Sequence, residues 1–256
     1  MAWRKAGGWR WRSIDWRRIG RIAVGSAAVA FGTVAYSWLM LPDVRPLRTQ
    51  TPTSTAFMRL RAAEAVRAGK SPAMTQRYVR YGRISPTLVR AVLVAEDAAF
   101  FEHEGIDYDE LRASMETNLE RGQMVRGAST ITQQLAKNLY LSPSRNPYRK
   151  LKELMITRRL EAELSKTRIL ELYLNLIEWG DGIWGIEAAS QRYFGVPASG
   201  LSADQAALLA AAIINPRIYS PARPNRRLLR RQQIILGRMG QKVAPPDRQD
   251  APGGSR

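Results

Sequence analysis

Two adjacent carboxylates, Glu96 and Asp97, close an almost uninterrupted apolar run, Leu88 to Ala95, and Phe100, Phe101, His103 and Gly105 follow them. An ionised carboxylate set against apolar surroundings must find partners or hold its proton to higher pH. That property is what a general acid or base working near neutral pH requires. The plainer reading is that the pair marks the solvated end of a core helix. A second acid, Glu153, stands three residues after Lys150 and four after Arg149, so on a helix the three share neighbouring rows. A surface ion pair is the plain account there, and it contributes little. Between the two acids, Ser129, Thr130, Gln133, Gln134, Lys137 and Asn138 crowd hydroxyl, amide and ammonium groups together, which suits a polar cleft wall or an exposed helix. His103 is the single histidine and there is no cysteine, so thiolate and disulfide chemistry are excluded and no His/Cys metal site can form around it. A lone histidine is more often a hydrogen-bonded structural residue.

The elements that must position these groups read as helices. Ser85-Pro86 is a helix start, and the apolar residues after it wrap most of the way round, which predicts a buried helix delivering Glu96. Asp107 with Glu110 predicts a capped helix whose apolar row is Leu111, Met115 and Leu119. Residues 121–128 carry two glycines and no period, and are expected to form a mobile loop over the cleft. Helices are further predicted over 129–139, 146–164, 167–178, 185–194, 202–214 and 225–239, and nothing reads as a long strand.

The formal net charge of +18 calls for an anionic partner: nucleic acid, anionic lipid or a phosphorylated substrate. Residues 1–21 are basic and rich in tryptophan, and Ile22 to Pro42 is a 21-residue uncharged run, about 31 Å long as a helix. These two features together predict an uncleaved single-pass anchor with its N-terminus in the cytoplasm and the remainder exported, not a nucleic-acid-binding arm. The chain therefore divides into a basic flank (1–21), a transmembrane anchor (22–42), a linker with the start of the catalytic region (43–80), the catalytic domain (81–240) and a tail expected to be disordered (241–256).

Four stretches in one order resemble the peptidoglycan glycosyltransferases, a lysozyme-like family: Glu96-Asp97-x-x-Phe100-x-x-His103-x-Gly105; Gly127 to Asn138; Arg149-Lys150-x-x-Glu153; and Lys166-x-x-Ile169-Leu170-Glu171-x-Tyr173-Leu174-Asn175. The resemblance implies a mainly α, lysozyme-like glycosyltransferase domain behind one N-terminal transmembrane helix. It implies an enzyme of the bacterial inner membrane, with its catalytic domain in the periplasm, that polymerises lipid II into β-1,4-linked glycan with release of polyprenyl diphosphate. The implied catalytic residues are Glu96, the general base, and Glu153, the second acid. The implied substrate-binding set is Asp97, Phe100, His103, Ser129, Thr130, Gln133, Gln134, Lys137, Asn138, Arg145, Arg149 and Lys150. No cofactor is obligatory, with a divalent cation, Mg or Mn, held by Glu153 at the diphosphate as the optional addition. Expected partners are lipid II, the growing glycan strand, membrane lipids and other cell-wall synthesis proteins, with no nucleic acid. The competing readings are a membrane-anchored lytic enzyme, whose chemistry has no need of the Lys137/Arg149/Lys150 cations, and a non-enzymatic basic membrane scaffold. No Ser-x-x-Lys occurs, and the roughly 40 residues after the core helices are too few for a penicillin-binding second domain.

Overall fold

The computed structural model describes residues 15–122, 127–142 and 146–240, and they form two units that divide between Leu41 and Pro42. The basic flank up to residue 14, residues 123–126 of the loop expected over 121–128, Arg145 and the tail from 241 lie outside the described residues.

The first unit is the helix α1 (Trp16–Leu39), within which Ile19–Leu39 is the one described helix long and apolar enough to cross a membrane. Its apolar side chains, Val24, Val29 and Phe31 among them, are exposed, as expected for a helix whose apolar surface meets lipid.

The second unit is helical around a small sheet. Its helices are α2 (Ala56–Arg67), α3 (Pro86–Glu96), α4 (Tyr108–Arg121), α5 (Ile131–Tyr140), α6 (Pro147–Glu163), α7 (Lys166–Leu176), α8 (Ile186–Phe194), α9 (Ala203–Ala212) and α10 (Arg226–Arg238). The strands are β1 (Thr75–Gln76), β2 (Glu178–Gly180) and β3 (Ile183–Trp184), in the order β1-β3-β2, with β3 parallel to β1 and antiparallel to β2. The segment predicted as a helix to residue 178 therefore ends two residues sooner, and Glu178 opens a strand.

Helix α3 forms as its sequence predicts, with Leu88, Val89, Ala91, Val92 and Leu93 all buried. Its start differs in detail. The Ser85 hydroxyl makes no cap and instead donates to the Leu201 carbonyl, leaving Pro86 to set the first turn. Against it packs α9, where Ala206, Ala207, Ala210, Ala211 and Ala212 are buried; such small side chains let two helix backbones approach closely. Helix α10 closes over both. A second layer sets α5 between α6 and α7.

Two expectations are corrected by the packing. The opening of the linker expected over 43–80 is docked: Val44 and Leu47 are buried, and the Arg168 guanidinium binds the carbonyls of Leu47 and Gln50. The apolar row of α4 faces outward, with Leu111, Met115 and Leu119 all exposed and Ser114 the buried residue of that helix, so helical period alone did not identify the packed face.

Candidate active site

Helix α3 ends at Glu96 because the chain turns away at Asp97, which adopts an extended conformation. Asp97 is buried and its two oxygens have separate tasks. One accepts from His103 Nε2 at 2.9 Å, and the other accepts from the backbone N–H of Ile131 at 2.9 Å, at the start of α5. A carboxylate at a helix N-terminus is favoured by the free N–H groups there. His103 Nδ1 in turn accepts from the Gly105 backbone N–H at 3.0 Å, a pattern that fits the tautomer with its proton on Nε2. Gly105 has φ +82°, and a Cβ there would lie 2.7 Å from the Thr157 methyl, so the loop can lie against α6 only with glycine at this position. These contacts join the end of α3 to the beginning of α5.

Helix α5 begins at Ile131 behind the capping box formed by Thr130 and Gln133, two residues later than the sequence suggested, which leaves Ser129 outside, exposed. On the cleft side, Gln134 Nε2 donates to Glu96 Oε2 at 2.9 Å. The amide is fixed from behind by Tyr173, whose hydroxyl donates to Gln134 Oε1 at 2.9 Å. Tyr173 is fully buried on α7, and burial pushes its phenol well above the ordinary value, so it remains a donor. The other Glu96 oxygen, Oε1, faces Arg231 Nη2 at 3.3 Å, from α10. The Glu96 side chain is 12% exposed. Burial pushes its carboxyl above the usual carboxylate range, while Gln134, Arg231 and Lys137 act in the opposite direction. Glu96 is thus desolvated, oriented through a neutral amide, and still reachable.

One turn along α5 from Gln134, Lys137 lies 5.9 Å from the Phe57 ring centroid of α2. Burial lowers its ammonium pKa, and it senses Glu153, Arg149, Lys150 and Glu96 together. Glu153 on α6 is buried and ion-paired through both of its oxygens. Arg149 Nη1 donates to its Oε2 at 2.6 Å, and the Lys150 ammonium donates to Oε1. The expected trio does form, but with its carboxylate inside the fold and Lys150 45% exposed at the rim. That geometry is poor for a divalent cation, since both oxygens are engaged by cations. Among the described residues, Asp97, His103 and Asp107 bring ligand atoms within 4.8 Å of one another. Asp97 and His103 bond each other, and Asp107 accepts from the Glu110 backbone N–H to cap α4.

The structure therefore divides the residues singled out in the sequence. Glu96, Gln134, Lys137, Arg149, Lys150 and Glu153 converge. Phe100 has no exposed surface and stacks edge-on against Phe101, with the Lys166 ammonium 4.5 Å from its centroid, so contact between its ring and a substrate is not supported. Asp97 and His103 are engaged with each other and with the backbone, and Thr130 and Gln133 are buried in their capping box. Asn138 donates to the Gln134 carbonyl and is buried. These five hold the cleft in shape. Lys166, Glu171 and Asn175 do the same: Lys166 binds Glu161, Glu171 accepts from the Tyr81 N–H, and the Asn175 amide pairs with both backbone groups of Val79. The sequence reading passed over Arg231, which sits in a run with Arg226, Arg227 and Arg230 that looks like a solvated charged face. The available signal was its phase, three residues after Leu228 and four before Ile235, both buried.

Comparison with known proteins adds the following. A family model described as Transglycosylase matches residues 64–240. A protein of Laribacter hongkongensis called biosynthetic peptidoglycan transglycosylase is 46% identical over 224 residues, covering 88% of this chain and 98% of that protein. Proteins of the same name from Azoarcus sp. and Nitrosomonas eutropha are each 46% identical, over 232 and 211 residues, covering 90% and 82% of this chain and 98% and 86% of those proteins.

Proposed function

The chain belongs to the transglycosylase family and is a peptidoglycan glycosyltransferase that polymerises glycan strands; with that as premise, we propose that Glu96 is its general base and that Lys137 and Arg149 hold the leaving diphosphate. The donor is the muramyl sugar of a polyprenyl-diphosphate-linked disaccharide-peptide, lipid II or its polymer. The acceptor is the 4-hydroxyl of a second disaccharide unit. Glu96 removes the acceptor proton, the freed oxygen forms a bond to C1 of the donor, and the bond from C1 to the diphosphate oxygen breaks with inversion. The proton is left on Glu96 and the electron pair on the diphosphate, where fixed cations stabilise the charge as it develops.

The observation that carries this reading is the contrast between the two acids. Glu96 is desolvated and bonded through an amide, with its basicity raised. Glu153 is ion-paired on both oxygens and so is suited to aim Arg149 and Lys150, not to accept a proton. Lys137 links the two sites. The donor groups around Glu153 do not suit a divalent cation, and no step is routed through one. The apolar helix α1 supports an enzyme held at the membrane beside its lipid-linked substrate, with the catalytic unit on the periplasmic face as the basic flank implies.

The test compares Glu96→Gln with Glu153→Gln. The first keeps size and hydrogen bonding, and should lose about 10²–10⁴-fold in turnover while donor binding persists. The second should weaken donor binding, and more so as salt rises, because Arg149 and Lys150 lose the charge that aims them. Normal turnover by Glu96→Gln would overturn the assignment, and suppression of both wild-type and variant activity by a chelator would restore a metal to the scheme.

A further inference from the structure

Building on Glu96 as the base, we infer that Arg231 is a positioning residue that tunes it, a fixed counter-charge on α10 that keeps Glu96 ionised at the pH where it must accept a proton.

Glu96 has conflicting requirements. Burial makes a carboxylate a stronger base, but enough burial leaves it protonated at neutral pH and useless as an acceptor. Something must offset the desolvation without blocking the reactive oxygen. The groups facing Glu96 can be taken element by element. From α5 come the neutral Gln134 amide, bonded to Oε2, and the Lys137 ammonium, which also senses Glu153. From α7 comes Tyr173, protonated and turned toward Gln134. The chain neighbour Asp97 opposes ionisation, although its own charge is engaged by His103 and the Ile131 N–H. From α10 comes Arg231, the single cation within ion-pairing distance of Glu96 among the described residues.

The geometry suits tuning more than blocking. At 3.3 Å the Arg231 Nη2 contact with Oε1 is long for a charge-assisted bond, which is normally 2.7–2.9 Å. A carboxylate oxygen has two acceptor directions, so an acceptor hydroxyl can occupy the second while the cation stays. Arginine also cannot take the proton itself, whereas a lysine in a dry site could lose its own. The position of Arg231 is enforced by its neighbours. Leu228, Gln232 and Ile235 on the same helix are buried, and Gln232 donates to the Asp204 carbonyl of α9 at 2.8 Å. Arg231 Nε is buried and has no hydrogen-bond partner, so the guanidinium's polar contact on this side is the one through Nη2 to Glu96.

The experiment is the pH dependence of kcat/KM on lipid II for the full-length enzyme and its Arg231→Gln, Arg231→Met and Arg231→Lys variants. Loss of the cation should move the acid limb toward alkaline pH by about one unit, so the neutral variants fall about tenfold behind wild type below the limb and converge with it above. Arg231→Lys should restore the limb toward the wild-type position. A loss that is the same at every pH, or a limb that stays in place in both neutral variants, overturns the inference. Arg231→Met keeps the packing of the aliphatic stem and serves if the Gln variant does not fold. Glu96→Gln run alongside separates the two failures: its inactivity with an unmoved limb in the Arg231 variants removes the tuning role alone, whereas its turnover at wild-type rates removes the base assignment on which that role rests.

Discussion

At the scale of single residues, Glu96, the carboxylate proposed as the base, is held by a relay of two side chains. The Gln134 amide orients Glu96 while Tyr173, fully buried, holds the amide's other end. Removing the phenol oxygen with Tyr173→Phe leaves Gln134 Oε1 short of its donor. That should cost about 1–3 kcal/mol of stability, read from chemical denaturation, and lower kcat several-fold with KM nearly unchanged. The raised basicity of Glu96 sets the direction of the pH response. Acting as the base proposed above, Glu96 works deprotonated, so turnover should fall as pH drops through its raised pKa, at higher pH than an ordinary carboxylate near 4.3 would give. An acid limb at or below that ordinary value would contradict the burial described for Glu96. The sequence already exposed the logic at this scale, since an acid after an apolar run and an acid after two cations differ in environment by their neighbours alone. It could not show which polar residues spend their groups inward. Gln133 and Asn138 carry the same amide group as Gln134, and the difference lies in how α5 is rotated, which depends on what packs behind it.

At the scale of elements, most helices were legible because their punctuation is chemical. Asn146, Ser165, Ser202 and Asn225 each cap a helix with the side chain, and Gly122 and Gly195 end theirs in the left-handed conformation. What stayed hidden was tertiary. Helix α2 has weak amphipathic character and follows a proline-rich stretch, so nothing local announced it. The short strands were also hidden, because two residues are too few for an alternating pattern. The junction of α3 with α5 is the element-level feature most open to test. Asp97→Asn keeps one carboxyl-type oxygen but sets an amide N–H₂ against one of two donors, His103 Nε2 or the Ile131 N–H. The expected loss is about 1.5–3 kcal/mol of stability, as for a hydrogen bond to a charged group. Because the junction places Gln134 relative to Glu96, turnover should fall beyond what the unfolded fraction explains. A variant with reduced melting temperature but full specific activity at a temperature where it is folded would show that the junction does not aim the base.

At the scale of the whole molecule, the catalytic unit draws its site from distant parts of the chain: Glu96 from α3, Gln134 and Lys137 from α5, Arg149 and Glu153 from α6, Tyr173 from α7 and Arg231 from α10. On the proposed reading, Lys137 and Arg149 bring part of the excess positive charge to the diphosphate, so donor affinity should decline with ionic strength more steeply in wild type than in Arg149→Ala, measured by titration at several salt concentrations. Helix α10, the last of the described helices, brings Arg231 back across 135 residues to Glu96. During synthesis, α3, α5, α6 and α7 emerge well before it, so the other cleft groups can gather while the counter-charge is still unmade. The partner of Glu96 on α10 is thus supplied by a segment made after every other group of the cleft, so a chain cut short of α10 should lack that ion pair.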